Sequence, residues 1–218
     1  MGEKRLHELP KKIGILGGTF NPVHLGHIHL AQKAMDVAGL DQVLFVPSGV
    51  SYMKDQREIL PAKHRIEMVR LAVADNSHFD ISTIETDKKG NSYSHETIRE
   101  LQRRQPEAEF YFLTGADTLF SIESWKDPAS IFHSVTILAA YRTGRSLEEL
   151  ERQIVRLHDI YQADIRLIAV DHLDISSSYI RNAIQSGKPT DGLMPSAVEN
   201  YIAQHHFYRS TDEDQNDR

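Results

Sequence analysis

The chain of 218 residues contains no cysteine, and this absence excludes several kinds of chemistry. Disulfide bonds, catalysis by a thiolate and metal sites with cysteine ligands all require that side chain. The sequence also lacks any apolar run near the roughly 20 residues that a transmembrane helix needs. Its first ten residues are mixed and charged, without the apolar stretch of a signal peptide. We therefore expect a cytoplasmic protein with no membrane partner.

An excess of basic residues is also missing, because the formal net charge is −6 at pH 7. Proteins that bind the nucleic acid backbone do so through many lysine and arginine contacts, so we expect no nucleic acid partner. A few cations in one pocket would still suffice to bind a phosphate group. Hydrophobic residues make up 40% of the chain and charged residues 26%, a balance typical of a globular domain with a sizeable core.

Short apolar runs rich in β-branched residues alternate with longer amphipathic segments along the chain. This alternation predicts an α/β fold: a doubly wound, mostly parallel Rossmann-like sheet with helices on both faces. The predicted strands are 13–16, 43–46, 110–113, 135–139 and 165–170, with a strand or an edge extension at 79–84. The predicted helices are 27–38, 62–74, 95–104, 147–161 and 179–186, with a terminal helical segment at 196–208.

The chain shows no internal repeat and no linker that would separate two domains. We expect a single domain over residues 1–209, followed by a polar, disordered tail over 210–218. Residues 47–61 are predicted to form a surface loop, and a loop of that length is more often functional than idle. The carboxyl ends of the predicted strands should meet at one edge of the sheet, where open α/β sheets bind ligands. These strand ends are Gly17, Pro47, Gly115 and Asp171.

The densest cluster of glycine and hydrogen-bonding residues is GGTFNPVHLGH, directly after the first predicted strand. Gly17 and Gly18 have no Cβ, so the backbone can turn sharply there and a ligand can come close. Pro22 fixes φ just before a helix whose first N–H groups are unpaired and carry a partial positive charge. His24 and His27 are three residues apart and lie on one face of that helix. Together these groups predict a site for a phosphate chain.

Other interpretations of this segment are weaker. An ordinary connection between strand and helix does not account for so many small and polar residues, which include Thr19 and Asn21. Gly26 costs about 1 kcal/mol relative to alanine in a helix, which makes sense if a ring or a phosphate lies against it. The fingerprint G-x-G-x-x-G of dehydrogenases is absent, and a zinc pair at His24 and His27 has no third ligand cluster nearby. We therefore predict phosphate binding and no metal ligands.

The segment DISSSYIR, residues 174–181, forms a second potential anion site. Its serines can cap the helix that follows, and capping alone is the simpler interpretation. Arg181 lies four residues after Ser177 and three after Ser178, so these side chains share one helix face. Hydroxyl groups, unpaired amides and a guanidinium at a helix start are typical of anion binding.

These motifs resemble those of a known family. GGTFNPVHLGH is similar to the nucleotidyltransferase motif, and residues 24–27 match its element His-x-Gly-His. More narrowly, residues 12–208 resemble the bacterial nicotinate-nucleotide adenylyltransferases. The resemblance implies transfer of the adenylyl group of ATP to nicotinate mononucleotide, giving deamido-NAD and pyrophosphate, by in-line attack without a covalent enzyme intermediate. It also implies Mg²⁺ as a cofactor, held mainly through the phosphates of ATP.

The same resemblance implies which residues act. The implied catalytic residues are His24, His27 and Arg181. The implied ATP-binding residues are Gly17, Gly18, Thr19, Phe20, Gly26, Gly115, Asp117, Ile175, Ser176 and Ser177. The implied mononucleotide-binding residues are Asn21, Lys54, Tyr93, Ser94 and Trp125, with Trp125 stacked on the pyridine ring.

The sequence departs from the family pattern at two places. The Ser-Tyr-Thr element of the family is Ser-Tyr-Ser at 92–94, which keeps the hydroxyl, and only Lys54 is retained from a Pro-Pro-His-Lys element. The residues alone also allow simpler roles: Asp117 as a helix cap, Trp125 as a core residue and Lys54 as solvated surface. Arg65 is predicted on the solvated face of an amphipathic helix, together with Glu67 and Arg70.

Two rival functions remain open at this level. One is another adenylyl- or cytidylyltransferase, such as an enzyme that acts on phosphopantetheine, and the other is a nucleotide-binding regulator without turnover. Tyr93, Ser94 and Trp125 favour a pyridine nucleotide. The intact His-x-Gly-His element favours a catalyst over a regulator.

Overall fold

The computed structural model describes residues 9–49, 59–142, 146–170 and 175–209. Lys54, Asp171 and the tail over 210–218 lie outside the described residues. What the sequence predicts for these positions, and the division into a domain and a tail, therefore stays a prediction.

Six strands form one parallel sheet in the described part of the chain. The strands are β1 Lys12–Gly18, β2 Gln42–Pro47, β3 Phe79–Ile81, β4 Glu109–Gly115, β5 Thr136–Arg142 and β6 Ile165–Val170. Their order in the sheet is β3-β2-β1-β4-β5-β6, and every pair of neighbours is parallel. The chain thus winds outward from β1 in one direction and from β4 in the other, which is the order of the doubly wound Rossmann fold. The predicted fold class is confirmed.

Seven α-helices connect or follow these strands within the described ranges. They are α1 Leu25–Ala38, α2 Ala62–Val73, α3 Ser94–Arg104, α4 Pro128–Ser134, α5 Leu147–Tyr161, α6 Ser177–Gln185 and α7 Ser196–Gln204. The buried residues of α1, α2, α6 and α7 join one hydrophobic cluster, and those of α3, α4 and α5 join another. The sheet therefore carries helices on both faces. None of the described helices combines the length and the apolar character that crossing a membrane would require.

The structure differs from the predicted elements at a few places. Helix α4 was not predicted, because it spans only two turns, although Asp127 caps it and Pro128 occupies its first turn. The strand expected over 79–84 is confined to β3, since the chain turns away after Ser82 donates its N–H to the carbonyl oxygen of Phe45. Helix α1 begins at Leu25 rather than His27.

Strand β1 lies at the centre of the sheet and is buried from both sides. Ile13 and Ile15 belong to the cluster beneath α3, α4 and α5, whereas Leu16 belongs to the cluster on the opposite face. This alternation follows from the two-residue period of a strand. Hydrogen bonds to β2 on one side and β4 on the other hold the end of β1 in place. The loop that follows β1 therefore starts from a fixed position.

Gly14→Ala should destabilise the protein by overpacking the core beside β1. A Cβ at this position would lie 2.9 Å from Leu40 Cδ1, 3.1 Å from Leu113 Cδ1 and 3.2 Å from Val43 Cγ2. We expect the free energy of unfolding, measured in urea, to fall by about 1–3 kcal/mol. Gly17→Ala is the matched control on the same strand, because a Cβ there meets no heavy atom within 4 Å. Equal losses of stability for the two variants would contradict this account.

Candidate active site

The glycine-rich segment lies where the winding of the sheet reverses, between β1 and β4. Gly17 and Gly18 close β1, and Gly115 closes the neighbouring strand β4. Gly17 and Gly115 are exposed, and a Cβ added to either would meet no heavy atom within 4 Å. In doubly wound folds the crevice at this reversal is the usual place for a nucleotide. The two glycines leave that crevice open.

Phe20 shapes the turn that follows β1. Its φ of 49° lies in the left-handed region, which is rare for a bulky residue, and its side chain is buried. The ring packs against Gly18, where a Cβ would lie 2.9 Å from Phe20 Cε1, and meets the ring of His27 edge-on at 4.9 Å. Any contact of Phe20 with ATP would therefore be made by the backbone, and the predicted contact stays a prediction.

His24 and His27 form a pair at the start of α1. His24 is the N-cap residue, and the two ring centroids are 3.7 Å apart. The backbone N–H of His24 donates to Nδ1 of His27 at 3.2 Å. Since Nδ1 of His27 accepts this bond, Nε2 carries the proton in the neutral ring and is the nitrogen that can donate to a ligand.

His24 is buried, and its Nδ1 atom has no hydrogen-bond partner among the described residues. Burial disfavours the charged imidazolium and lowers the pKa of His24 from 6.5 to about 4. Its ring lies against α1 at Gly26, where a Cβ would come within 2.9 Å of His24 Nδ1. The glycine thus accommodates a ring of the protein itself.

Helix α6 joins the two predicted anion-binding motifs. Ser176 is its N-cap, and its hydroxyl accepts a backbone N–H of the first turn. Ser177 donates its hydroxyl to the carbonyl oxygen of Pro22 at 2.8 Å, and Arg181 donates to the carbonyl oxygen of Asn21 at 3.1 Å. The start of α6 is therefore held directly against the segment that leads into His24.

Some groups of these motifs already serve the protein itself. The N–H of Leu25, predicted to be unpaired, donates to the carbonyl oxygen of Leu193 at 3.0 Å. Asn21 is buried, and its Oδ1 atom accepts bonds from the N–H of Leu60 and the hydroxyl of Tyr208. Ile175 is buried in the hydrophobic core. Their predicted contacts with substrate stay predictions.

A cavity of about 160 Å³ lies beside Gly17 and Gly18. Tyr93, Ser94 and Trp125, predicted to bind one substrate, all line it. A cavity of roughly 150 Å³ holds one benzene molecule in another protein, so the space suits a single six-membered ring. The remaining lining residues are Ile15, Val46, Ser48, Glu85, Ser92, Thr97, Ile98, Phe112 and Lys126.

Two polar atoms in the wall of this cavity are buried without a hydrogen-bond partner among the described residues: Trp125 Nε1 and Ser48 Oγ. Buried polar atoms are rarely left unpaired, so each calls for a partner. Trp125 is half-buried and meets Phe112 edge-on at 6.2 Å, which places it between the core and the cavity. It is therefore neither a plain core residue nor a surface residue.

The structure corrects two interpretations of the sequence. Asp117 lies inside a 3₁₀ turn, Ala116–Phe120, whose N-cap is Gly115, so the capping role is wrong. Arg65 does not lie on the solvated face of α2: its exposure is 4%, and it donates to the carbonyl oxygens of Leu60, Thr19 and Ser48. The spacing of Arg65 from the buried residues Met68 and Val69, at i+3 and i+4, could have indicated this face.

Glu85 escaped the sequence analysis altogether. It lines the cavity, accepts a hydrogen bond from the hydroxyl of Thr97 at 2.8 Å, and accepts another from the N–H of Gly49 at 3.4 Å. Burial raises the pKa of its carboxyl, and these two hydrogen bonds counteract the shift. It lies in a turn without periodicity, so only a motif could have revealed it.

Comparison with known proteins shows the family to which the chain belongs. The family model described as cytidylyltransferase-like matches residues 15–183. A relative from Lachnoclostridium phytofermentans, named "Probable nicotinate-nucleotide adenylyltransferase", is 36% identical over 198 residues, covering 91% of this chain and 99% of the relative. A relative of the same name from Moorella thermoacetica is 39% identical over 201 residues, covering 92% and 93%. The chain belongs to the nicotinate-nucleotide adenylyltransferase family, as its motifs predicted.

Solved structures agree on the fold. The structure described as Plasmodium falciparum nicotinic acid mononucleotide adenylyltransferase complexed with NaAD has a TM-score of 0.75 at 18% identity, covering 91% of this chain and 97% of that one. The same enzyme complexed with APC has a TM-score of 0.73. The doubly wound sheet is thus shared with an adenylyltransferase at low sequence identity.

The buried His24 should make stability depend on pH. Because its folded pKa of about 4 lies below 6.5, the unfolded chain takes up a proton first, and stability falls as the pH drops from about 6.5 to 4. The shift corresponds to a loss of about 3 kcal/mol between pH 7 and pH 4. Urea unfolding of His24→Asn should show a smaller acid-induced loss than the wild type. His29→Asn, an exposed position on α1, is the control; equal pH profiles for His24→Asn and the wild type would contradict the prediction.

Proposed function

We propose that the protein transfers the adenylyl group of ATP to nicotinate mononucleotide, giving deamido-NAD and pyrophosphate in NAD biosynthesis. One observation carries the proposal: the His24–His27 pair, the start of α6 and a ring-sized cavity lined by Trp125 share one edge of the sheet. Two phosphate-binding elements next to an aromatic cavity suit a reaction between a triphosphate and a mononucleotide that carries a ring.

The two substrates would occupy different parts of this edge. The pyridine ring of the mononucleotide would lie in the cavity, against Trp125 and near the hydroxyl of Ser94. The phosphates of ATP would lie between the histidine pair and Arg181, close to Ser177. The open backbone at Gly17 would lie between them, where the phosphate of the mononucleotide meets the α-phosphate of ATP.

The reaction needs no protein nucleophile. A phosphate oxygen of the mononucleotide forms a bond to the α-phosphorus of ATP, while the bond from that phosphorus to the bridging oxygen breaks and pyrophosphate leaves in line. The attacking phosphate is already an anion, so no general base is required. The work of the protein is to position the two phosphates and to stabilise the charge that develops on their oxygens.

The histidines and Arg181 would provide this stabilisation in different ways. Nε2 of His27 carries a proton, because Nδ1 accepts the N–H of His24. This N–H group can donate a hydrogen bond to a phosphoryl oxygen. Arg181 provides a permanent positive charge near the carbonyl oxygen of Asn21. His24 is neutral at pH 7, since burial lowers its pKa to about 4, and so acts as a hydrogen-bonding group.

Mg²⁺ would be held mainly by the phosphates of ATP and by water, as is common for nucleotide-bound Mg²⁺. Within the described ranges, no group of three or more His, Asp or Glu side chains is placed to hold a metal ion. When bound, it supplies positive charge that neutralises the leaving pyrophosphate. The steps assigned to His24, His27 and Arg181 do not depend on its position.

The identity of the acceptor substrate is tested by comparing three candidate acceptors. Purified protein is given ATP with nicotinate mononucleotide, nicotinamide mononucleotide or phosphopantetheine, and pyrophosphate release and the adenylylated product are measured. We expect the highest kcat/KM with nicotinate mononucleotide. A higher kcat/KM with phosphopantetheine would overturn the assigned substrate, and binding of ATP without pyrophosphate release for any acceptor would indicate a regulator.

His27→Ala should lower kcat by about 10²-fold or more, because the variant loses a donor that acts on the transition state. The fold should be largely intact, as judged by circular dichroism and the unfolding temperature, since His27 is only partly buried. His133→Ala, on the exposed side of α4, is the control for loss of an imidazole away from the site. A folded His27→Ala protein with near-normal turnover would contradict the role of His27 as a donor in the transition state.

A further inference from the structure

The peptide unit between Ser48 and Gly49 lies at the meeting point of the phosphate-binding segment and the ring cavity. Just after β2, the N–H of Ser48 donates to the carbonyl oxygen of Gly18 at 2.8 Å, which ties it to the end of β1. Ser48 also lines the cavity. Any displacement of this peptide would therefore change the wall of the cavity.

Two charged side chains, the buried Arg65 and the partly buried Glu85, hold this one peptide unit from opposite ends. Arg65 Nη2 donates to the carbonyl oxygen of Ser48 at 2.8 Å, and the carboxylate of Glu85 accepts the N–H of Gly49 at 3.4 Å. The carbonyl and the N–H belong to the same amide plane, so the peptide dipole lies between a cation and an anion. This alignment strengthens both hydrogen bonds, because each has one charged partner.

Both side chains reach beyond the peptide. Arg65 Nη1 donates to the carbonyl oxygen of Thr19 at 2.9 Å, and its Nε donates to that of Leu60 at 3.0 Å. Glu85 accepts the hydroxyl of Thr97 on α3 at 2.8 Å, and α3 begins at the edge of the cavity. One chain of hydrogen bonds thus runs from the phosphate-binding segment, through the peptide, to the wall of the cavity.

The packing around Gly49 shows that the peptide has little freedom to move. A Cβ at Gly49 would lie 2.4 Å from the carbonyl oxygen of Glu85 and 2.5 Å from Ser92 Oγ. Only glycine permits the backbone of residue 49 to approach Glu85 this closely. The sequence therefore provides both the charges that hold the peptide and the space in which it is held.

We propose that Arg65 and Glu85 are positioning residues that fix the Ser48–Gly49 peptide, and with it the distance between the phosphate-binding segment and the ring cavity. The inference rests on the proposed function, in which the cavity holds the ring of nicotinate mononucleotide. A shift of the peptide changes the shape of the cavity wall. It therefore acts on binding of the mononucleotide much more than on binding of ATP.

The test uses Glu85→Gln and Arg65→Lys in the full-length chain. Glutamine keeps the shape of Glu85 but removes its charge, and lysine keeps the charge of Arg65 but cannot reach three carbonyl oxygens in a planar fork. We expect the KM for nicotinate mononucleotide to rise about tenfold in each variant, consistent with loss of a charge-assisted hydrogen bond. The KM for ATP should rise less than that for the mononucleotide in both variants, and should stay within about twofold in Glu85→Gln, because Glu85 bonds to Gly49 and Thr97 and not to the phosphate-binding segment. A general loss of stability would not produce this split.

A second measurement reports on the peptide without using activity. Amide hydrogen exchange at Gly49, followed by NMR, should be about tenfold faster in both variants than in the wild type. Because both residues act on one peptide, the double variant should raise the KM by less than the product of the two single effects. Thr97→Val and Thr97→Ser extend the test, since serine keeps the hydroxyl that binds Glu85 and should restore the exchange rate.

The matched controls are Glu100→Gln on α3 and Arg70→Lys on α2, whose side chains form ion pairs at the exposed surface. They should leave both KM values and Gly49 exchange unchanged. Unchanged exchange at Gly49 in Glu85→Gln and Arg65→Lys, or equal rises of the KM for both nucleotides, would overturn the proposal. If the wild type did not use nicotinate mononucleotide, the proposed function would fail, whereas the exchange rates would still decide whether the two residues hold the peptide.

Discussion

The active-site edge depends on two hydrogen bonds between segments that are far apart in the sequence. Ser177 and Arg181 donate to the carbonyl oxygens of Pro22 and Asn21, across 155 and 160 residues of chain. Each segment alone is a helix start with polar side chains, which is a common feature of proteins. Helix α6 follows β6, the last strand of the sheet, so its start reaches α1 only when the whole sheet has formed. The two bonds then hold α6 beside α1. The site is thus a property of the tertiary structure.

Polar atoms left without partners mark the same edge of the sheet. His24 Nδ1, Ser48 Oγ, His95 Nδ1 and Trp125 Nε1 are buried and unpaired among the described residues, and Ser48 and Trp125 line the cavity. An unpaired buried polar group costs free energy. In the proposed function, a bound mononucleotide would supply partners to the two unpaired atoms in the cavity wall. By contrast, Arg65 is fully engaged with carbonyl oxygens and serves the architecture around the ligand.

The sequence predicted those parts of the structure that have local signals. The strands and most helices follow from hydrophobic period, and the phosphate-binding segment follows from the glycines and from His24 and His27. The roles of Arg65 and Glu85 were missed, because neither lies in a motif and each acts through backbone groups distant in sequence. Helix α4 was missed because a helix of two turns is too short to show a hydrophobic period in the sequence. The spacing of Arg65 from Met68 and Val69 indicates its buried face, but no local pattern indicates the carbonyl oxygens to which it donates.

Gly26 acquires a different meaning from its contact with His24. With an imidazole at position 24, a Cβ at position 26 would lie 2.9 Å from its Nδ1 atom, so any residue other than glycine requires the ring to shift. If His24 binds phosphate as proposed, the residue at position 26 depends on that ring and needs no phosphate contact of its own. Positions 24 and 26 are thus coupled by packing, and a smaller side chain at position 24 would allow alanine at position 26, with its greater helix stability.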